Sequence, residues 1–226
     1  MKPEISVVMP CLNEEETVGK CIDEINKFFE KEKINGEIIV CDNGSKDSSV
    51  KIANSKKARV IKQNIKGYGA ACIKGILSAK GNIIVIGDSD GTYDFSEIPI
   101  LIVPIKDGYE FIVGNRFNGK MKKGSMTYLH FVGNAFLSGL IRILFKSKIY
   151  DAHCGLRAFT KDAFKKMSLK SDGMEFASEM VIKAAKKKIK TCEVKVSYRK
   201  RKGKSKLNSL RDGWRHLVFI LSSRLF

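Results

Sequence analysis

The chain has 226 residues, 43% of them hydrophobic, which is enough to bury a substantial core and excludes a disordered chain. Its 42 lysines and arginines against 24 acidic residues give a formal net charge of +18. This charge predicts a polyanionic neighbour, such as a phosphorylated substrate, anionic lipid headgroups or nucleic acid. The six cysteines are scattered without a Cys-x-x-Cys pair, which is typical of a reduced cytosolic protein.

The first 115 residues alternate short apolar runs with helical patterns. These patterns predict strands at 5–9, 37–41, 59–62 and 82–87, and helices at 14–32, 47–55 and 68–79. Strand–helix alternation of this kind predicts an α/β fold with a mostly parallel, doubly wound sheet.

Two of the predicted strands end in acidic residues. Asp42 follows the apolar run 38–41, and Asp88-Ser89-Asp90 follows the run 83–87. Because open α/β sheets bind ligands at the carboxyl ends of their strands, both acidic segments would lie at the ligand edge. Asp88 and Asp90 could converge on a divalent cation that clamps a diphosphate, although Asp, Ser and Gly are also ordinary turn residues.

The loop 10–14 lies at the same predicted edge, directly after the first strand. For Asn13 and Glu14, capping of the next helix and contact with a ligand are equally good interpretations. Further along, 111–114 and 191–198 are predicted strands, and the second of these leads into a basic, glycine-containing loop at 199–206.

Two apolar segments of the second half are long enough to be amphipathic helices. Residues 129–145 combine a wide apolar face with a polar residue at every fourth position, a pattern that fits either an interfacial membrane helix or a core helix. Trp214 lies among basic residues near the end of the chain, as an interfacial anchor would. Packing of this terminal helix on the catalytic domain is the alternative.

Several ordered motifs resemble a known family. Residues 5–15, 40–47, 67–71 and 88–90 are similar to family 2 glycosyltransferases. Residues 114–117, 151–159 and 201–207 resemble the dolichyl-phosphate mannosyltransferase and polyprenyl-phosphate glycosyltransferase branch. The resemblance implies a GT-A fold, a nucleotide-sugar donor of the GDP-mannose or UDP-glucose type, Mg²⁺ or Mn²⁺, and a dolichyl or polyprenyl phosphate acceptor. It implies an inverting transfer of mannose or glucose at the cytoplasmic face of a membrane.

The resemblance also assigns roles to individual residues at the acidic edge. The nucleotide sugar would be bound by Pro10, Leu12, Glu14, Asp42, Asp88, Ser89 and Asp90, and the metal by Asp88 and Asp90. Asp90 is the expected catalytic member of this group. Some relatives have a metal-binding Gln where this chain has Thr92, so water or a donor oxygen would complete the metal shell. Many also have an acid where this chain has Asn43.

A phosphate acceptor removes the need for a general base, because a phosphate monoester with a second pKa of roughly 6 is already largely dianionic at neutral pH. It must instead be held by cations. The candidates for acceptor-phosphate contact are Arg116, His130, Arg201 and Lys206. We count Arg116 and Asp151 as catalytic candidates, although Asp151 could equally cap its segment. If the acceptor were an alcohol, Glu175 and Glu179 would be the fallback catalytic pair.

The predicted domain organisation follows from these assignments. A GT-A catalytic domain covers 1–208, with a nucleotide-sugar-binding half at 1–115 and an acceptor-binding half at 116–208 that includes the amphipathic helix 128–146. Residues 209–226 form a membrane-proximal C-terminal helix. The expected location is the cytoplasm, in peripheral contact with the inner face of the membrane.

Two alternatives remain open at this stage. The enzyme could transfer sugar to a polysaccharide or protein. The chain could also be a non-catalytic basic module that binds RNA or anionic membrane, as its charge alone would allow. The second alternative lacks a recognised RNA motif and leaves the ordered acidic residues unexplained, so we expect no nucleic-acid partner.

Overall fold

The computed structural model describes residues 2–203 and 209–225. Its strands are β1 (Ile5–Cys11), β2 (Gly36–Asp42), β3 (Arg59–Lys62), β4 (Ile83–Ile86), β5 (Phe111–Asn115), β6 (Arg157–Thr160) and β7 (Thr191–Lys195). They form one seven-stranded sheet in the order β3-β2-β1-β4-β6-β5-β7. All neighbouring pairs are parallel except the two that involve β6, which runs antiparallel to β4 and β5. The mostly parallel sheet was predicted.

The helices cover both faces of this sheet. They are α1 (Val18–Glu32), α2 (Ser49–Ser55), α3 (Tyr68–Ser78), α4 (Ile98–Lys106), α5 (Tyr128–Phe145), α6 (Lys161–Met167), α7 (Phe176–Lys186) and α8 (Ser209–Leu225). A short 3-10 helix, Phe95–Glu97, precedes α4. The structure places α4, α6 and β6 in segments for which the sequence patterns predicted no element, and it ends β7 at Lys195 rather than at residue 198.

The core explains why the central strands read as continuous apolar runs. In β1, Val7, Val8 and Met9 have no exposed surface, and Val85 of β4 is equally buried. Strands buried on both faces favour continuous apolar runs, and the one polar residue in the middle of β1, Ser6, is buried with its hydroxyl bonded to Glu37. The β6 strand lies between β4 and β5, which joins the two predicted halves of the catalytic domain in a single sheet.

Helix α5 leaves most of its apolar surface exposed. Its buried residues are Leu137, Ser138 and Ile141, whereas Tyr128 is 84% exposed and Ile143 is 79% exposed. In the part of the chain that the structure describes, this is the one helix whose length and composition would allow it to cross a membrane. Helix α8 packs against α5 and α7, and its Trp214 is 67% exposed.

Candidate functional site

A cavity of about 410 Å³ opens at the carboxyl ends of β1, β4 and β5. Its wall includes Pro10, Leu12, Glu14, Asp88, Ser89, Asp90, Arg116 and Arg201, which the sequence analysis assigned to the site. Tyr68, His153, Gly155, Tyr198, Arg211 and Arg215 also line it. Helix α8 thus contributes to the same cavity as the acidic edge of the sheet.

The two aspartates after β4 lie on one wall of this cavity. The Tyr68 hydroxyl donates a hydrogen bond to Asp88 Oδ1 over 2.9 Å. The Thr92 hydroxyl and backbone N–H both donate to Asp90 Oδ1, over 2.6 and 3.0 Å. Burial, followed by the charge of Asp90, raises the pKa of Asp88 to about 7, although Tyr68 and nearby arginines oppose the shift. The pKa of Tyr68 is also raised, by burial and by Asp88, so its hydroxyl keeps the proton that it donates.

A cationic side chain lies between two of the acidic residues. The Arg201 guanidinium pairs with Asp90 through one nitrogen and with Glu14 through another. Glu14 is fixed in addition through its backbone N–H, which donates to Ser49 Oγ over 2.8 Å. The acidic edge is therefore arranged around a positive charge.

Arg116 lies on the wall of the cavity and is held from behind by Asp151. Its Nε and one terminal nitrogen each donate to an Asp151 oxygen over 2.8 Å, and its backbone N–H donates over 3.0 Å. The guanidinium also lies 5.1 Å from the ring centroid of Tyr198. Asp151 has no exposed surface, and its own N–H donates to Glu193 over 2.7 Å. Asp151 therefore orients Arg116.

Residues on the donor side are fixed by contacts between neighbouring strand ends. The Ser89 hydroxyl donates to the Pro10 carbonyl over 2.7 Å, which ties the end of β4 to the end of β1. The Asp42 carboxylate accepts hydrogen bonds from the N–H groups of Gly44 and Ser45, over 3.1 and 3.0 Å. Asn43 donates to the carbonyls of Gln63 and Ile65. Asp42 and Asn43 thus shape the loops beside the cavity.

A chain of hydrogen bonds joins the cavity to helix α8. His153 Nε2 lies 3.1 Å from Ser178 Oγ, which lies 2.8 Å from His216 Nδ1. The two imidazole rings meet edge to face, with centroids 4.7 Å apart. Burial and the charge of His216 lower the pKa of His153, and burial also lowers the pKa of His216. Both rings are therefore neutral at neutral pH.

Not every predicted site residue reaches the cavity. The cavity wall, as far as the described residues form it, does not include Asp42, Asp151 or His130. Asp151, a predicted catalytic residue, has no exposed surface and is ion-paired with Arg116, so in this structure it contacts Arg116 rather than the cavity. The N–H of His130 donates to the Thr127 cap of α5 over 3.3 Å. Lys206 lies outside the described residues.

The fallback acids have structural partners. Glu179 is 4% exposed and accepts hydrogen bonds from the backbone N–H groups of Lys170 and Ser171. Glu175 pairs with Arg215 over 3.1 Å. The Arg157 guanidinium donates to the carbonyls of Ala152, Cys154 and Ala177. These contacts hold the segment that leads into β6.

The sequence analysis missed several residues of the site, although signals for some were present. Tyr68 is the first residue of α3 and belongs to the motif 67–71, which resembles family 2 glycosyltransferases. Gly155 lies beside Asp88, and a Cβ placed on it would come within 2.6 Å of Asp88 Oδ2. Gly155 follows Cys154 in the motif 151–159, and a glycine in such a motif can indicate that another group lies close to the backbone. His153 required the fold, because its hydrogen-bond partners Ser138 and Ser178 are 15 and 25 residues away along the chain and the ring that it meets, His216, comes from α8.

Comparisons with known proteins define the family. Residues 6–168 match the family described as Glycosyl transferase family 2. The chain is 40% identical over 221 residues to the low-salt glycan biosynthesis hexosyltransferase Agl6 of Haloferax volcanii, covering 97% of this chain and 53% of the relative. It thus spans about half of that relative's length. It is also 29% identical over 212 residues to a dolichyl-phosphate hexose transferase of the same organism, covering 93% of this chain and 89% of the relative.

Solved structures agree with this assignment at the level of the fold. Glucosyl-3-phosphoglycerate synthase from Mycobacterium tuberculosis, in complex with Mn²⁺ and UDP among other ligands, aligns with a TM-score of 0.78 at 22% identity, covering 98% of this chain and 80% of that chain. The chain belongs to glycosyl transferase family 2 and has the GT-A fold. The predicted family and fold are confirmed, and the dolichyl-phosphate relative supports the predicted branch.

The residues of the cavity fit a divalent cation. Within residues 2–203 and 209–225, no cluster of three His, Cys, Asp or Glu side chains forms a complete metal site. Asp88 and Asp90 nevertheless supply the hard carboxylate oxygens that Mg²⁺ and Mn²⁺ prefer. The position of the Arg201 guanidinium against Asp90 shows that this wall accepts positive charge. An ion there would need substrate oxygens or water to fill its shell.

Proposed function

We propose that this glycosyltransferase moves a hexose, mannose or glucose, from a GDP or UDP sugar to a dolichyl or polyprenyl phosphate. The transfer inverts the anomeric carbon and takes place at the cytoplasmic face of a membrane. The observation that carries the proposal is that one cavity is lined both by the carboxylates of Asp88 and Asp90 and by the guanidinium of Arg116. The names of the dolichyl-phosphate relatives from Haloferax volcanii and Methanococcus voltae support the acceptor class.

Asp88 and Asp90 would hold Mg²⁺ or Mn²⁺ together with the donor diphosphate. The ion would neutralise the negative charge that grows on the departing nucleoside diphosphate. The loop residues Pro10 and Leu12 lie in the wall beside the aspartates, where a nucleoside attached to that diphosphate would be bound. Ser89 keeps this loop against the end of β4.

Arg116 is suited to hold the acceptor phosphate. Its partner Asp151 fixes the plane of the guanidinium, so little side-chain entropy is lost when a phosphate binds. A phosphate oxygen then attacks the anomeric carbon from the face opposite the departing diphosphate, which inverts the configuration. No proton has to be removed from a largely dianionic phosphate. The structural use of Glu179 agrees with an acceptor that needs no general base.

The exposed faces of α5 and α8 would bring this cavity to the lipid. Their apolar side chains include Tyr128, Phe136, Ile143 and Trp214, all more than half exposed. Such faces are typical of helices that lie in a membrane interface. Arg211 and Arg215 of α8 line the cavity itself, so the helix that would touch the membrane also borders the site of transfer.

A donor and acceptor screen tests the proposal. The protein is mixed with Mn²⁺, a polyprenyl phosphate in detergent or vesicles, and GDP-mannose, UDP-glucose or UDP-N-acetylglucosamine. We expect nucleoside diphosphate to be released with at least one donor, and only when the lipid phosphate is present. Lack of release with every donor, or equal transfer to a polysaccharide without lipid, would contradict the proposed acceptor.

An Asp90→Asn variant tests the acidic wall. Removing the carboxylate takes away several kcal/mol of charge stabilisation by the metal, so turnover should fall at least about a hundredfold. The fold should be retained, because the Asn side chain can still accept from Thr92. Asp162→Asn on α6, where the acid pairs with Lys165 at the surface, is the matched control and should keep full activity. Near-normal turnover of Asp90→Asn would remove the metal role.

A further inference from the structure

The segment from Phe111 to Tyr150 contains α5 and carries charge of only one sign. All 24 acidic residues of the chain lie outside it. Its cationic residues are Arg116, Lys120, Lys122, Lys123, Arg142, Lys146 and Lys148. A helix with a large exposed apolar surface is therefore embedded in a stretch of chain that is entirely basic.

The exposed apolar residues of α5 lie on one side of the helix. Four of them follow one another at spacings of four and seven residues and are each at least 44% exposed, namely Tyr128, Val132, Phe136 and Ile143. The opposite side is held to the domain, where the Ser138 hydroxyl accepts the backbone N–H of Ala152 over 3.1 Å. Helix α5 thus lies along the domain surface with its apolar side outward.

Helix α8 packs against α5 and exposes apolar residues of its own. Trp214, Val218 and Leu221 are 67%, 47% and 48% exposed. Their spacing of four and then three residues places them on one side of α8. Two neighbouring helices therefore each leave an apolar side uncovered by the described part of the chain.

Lysines lie beyond both ends of α5. Two exposed lysines precede the helix and two follow it, namely Lys122, Lys123, Lys146 and Lys148. A further cation, Lys186 of α7, lies at the second end, where its Nζ is 5.6 Å from the ring centroid of Phe145. The 18 residues of the helix separate the two groups of lysines by about 27 Å. The apolar side of α5 is thus bracketed by positive charge.

We propose that the lysine-flanked face, formed by the exposed side of α5 and the lysines at 122–123 and 146–148, docks on the anionic phospholipid headgroups of a membrane leaflet. The proposal rests on the membrane contact in the proposed function and adds the lipid charge that this contact requires. Apolar side chains enter neutral and anionic leaflets alike, whereas lysines near the surface are attracted only by the anionic one.

The charge of the lysine-flanked face disfavours two other occupants. A second copy of the chain would bring the same basic patch against itself, because a two-fold contact pairs identical surfaces. The segment 111–150 has no acid that could neutralise this repulsion. Nucleic acid would attract the lysines through its phosphates but would leave the apolar side of α5 without a partner. An anionic leaflet satisfies both parts of the surface.

The test compares vesicles of phosphatidylcholine with vesicles of phosphatidylglycerol. Bound protein is measured by flotation of the full chain, without metal or sugar donor. Fluorescence gives a second readout, because Trp214 is the only tryptophan of the chain and its emission shifts to shorter wavelength when it enters a membrane. We expect binding to phosphatidylglycerol to be at least about a hundredfold stronger. Raising NaCl from about 0.1 M to about 1 M should remove most of this difference, because the Debye length falls from about 10 to about 3 Å.

Two double variants locate the attraction. Lys122→Gln with Lys123→Gln, and Lys146→Gln with Lys148→Gln, should each weaken binding to phosphatidylglycerol about tenfold and leave binding to phosphatidylcholine unchanged. The matched control is Lys27→Gln with Lys31→Gln on α1, which removes the same charge from two exposed positions. This control should change binding less than about twofold.

The outcomes separate this inference from the proposed function. Equal binding to the two kinds of vesicle would overturn the selection of anionic lipid and leave the apolar membrane contact intact. Equal losses in the α1 control would overturn the role of the flanking lysines. A dimer in sedimentation that binds neither vesicle would assign the face to a second copy and overturn the membrane contact as well. Transfer to a polyprenyl phosphate in detergent, where no leaflet is present, tests the acceptor independently of all these results.

Discussion

The acidic wall of the cavity, formed by Asp88 and Asp90, and its basic wall, formed by Arg116, are built in different ways. The acidic wall lies at strand ends, where Thr92 supports Asp90 from 2 residues away and Tyr68 supports Asp88 from 20 residues away. The basic wall depends on distant partners, since Arg116 is held by Asp151, 35 residues further along the chain, and Asp151 by Glu193. Asp88 and Asp90 lie on the cavity wall at the ends of strands, whereas Asp151 behind Arg116 belongs to the buried framework. We therefore expect mutations in the basic wall and its supports to cost stability as well as activity.

The largest expected loss of stability comes from Asp151→Ala. This change leaves the nearly buried Arg116 guanidinium without its carboxylate, and breaking a buried ion pair in this way costs about 3–5 kcal/mol. Urea unfolding followed by circular dichroism measures the free energy of unfolding. Asp90→Asn in the acidic wall should lose turnover with little change in that free energy.

The matched variant for Asp151→Ala is the double substitution Arg116→Met with Asp151→Leu. It removes both charges at once, so it should be more stable than Asp151→Ala alone. A loss below about 1 kcal/mol for Asp151→Ala would contradict the view that the basic wall belongs to the framework.

The same contrast explains what the sequence could predict. The parallel strands and the acids at their ends were predictable, because apolar runs and the residues that follow them are local patterns. The β6 strand was not, because its four residues, Arg157–Thr160, offer little pattern and their antiparallel place between β4 and β5 is set by distant pairing. The buried position of Asp151 was equally invisible, since a capping residue, a catalytic acid and an ion-pair partner look alike in sequence.

A smaller effect is expected from Gly155→Ala, beside Asp88 of the acidic wall. A methyl group would come within 2.6 Å of Asp88 Oδ2, and this crowding should cost about 1–3 kcal/mol in the free energy of unfolding. The acidic wall should suffer as well, because the Asp88 carboxylate has to move. We expect a lower Mn²⁺ affinity, measured by electron paramagnetic resonance of the free ion, together with a lower free energy of unfolding, measured by urea unfolding. Gly139→Ala on α5, where a Cβ would have nothing within 4 Å, is the control and should be neutral or slightly stabilising.

The buried histidines His153 and His216, joined through Ser178, predict that the free energy of unfolding depends on pH. Burial lowers the pKa of His153 and His216 below the ordinary 6.5, so the unfolded chain binds protons that the folded chain does not. Their contribution to stability is complete above about pH 6.5 and is lost as the pH falls. Each histidine contributes a slope of up to about 1.4 kcal/mol per pH unit in the range where only its unfolded form is protonated.

Thermal unfolding between pH 8 and pH 5 measures this slope. The groups facing the pair are Arg116 and Arg157, which oppose protonation of His153, and Arg215, Glu175 and Asp212 around His216. His216→Asn should flatten the profile, because it removes one of the two histidines whose pKa burial lowers. If the melting temperature of the original chain did not fall on acidification, or fell equally in His216→Asn, the histidine chain would not be responsible.

The smallest effect on folding is expected for substitutions on the exposed face of α5. These substitutions should weaken membrane binding instead. Phe136 and Ile143 are 62% and 79% exposed and lie seven residues apart on one face of the helix. Replacing both with Ser should change the free energy of unfolding by less than about 0.5 kcal/mol per site. Binding to phosphatidylglycerol vesicles should fall at least about tenfold, because two apolar side chains no longer enter the interface. Leu77→Ser, equally exposed at 66% but on α3, should bind vesicles as the original chain does, and equal losses in both variants would show that α5 is not the membrane face.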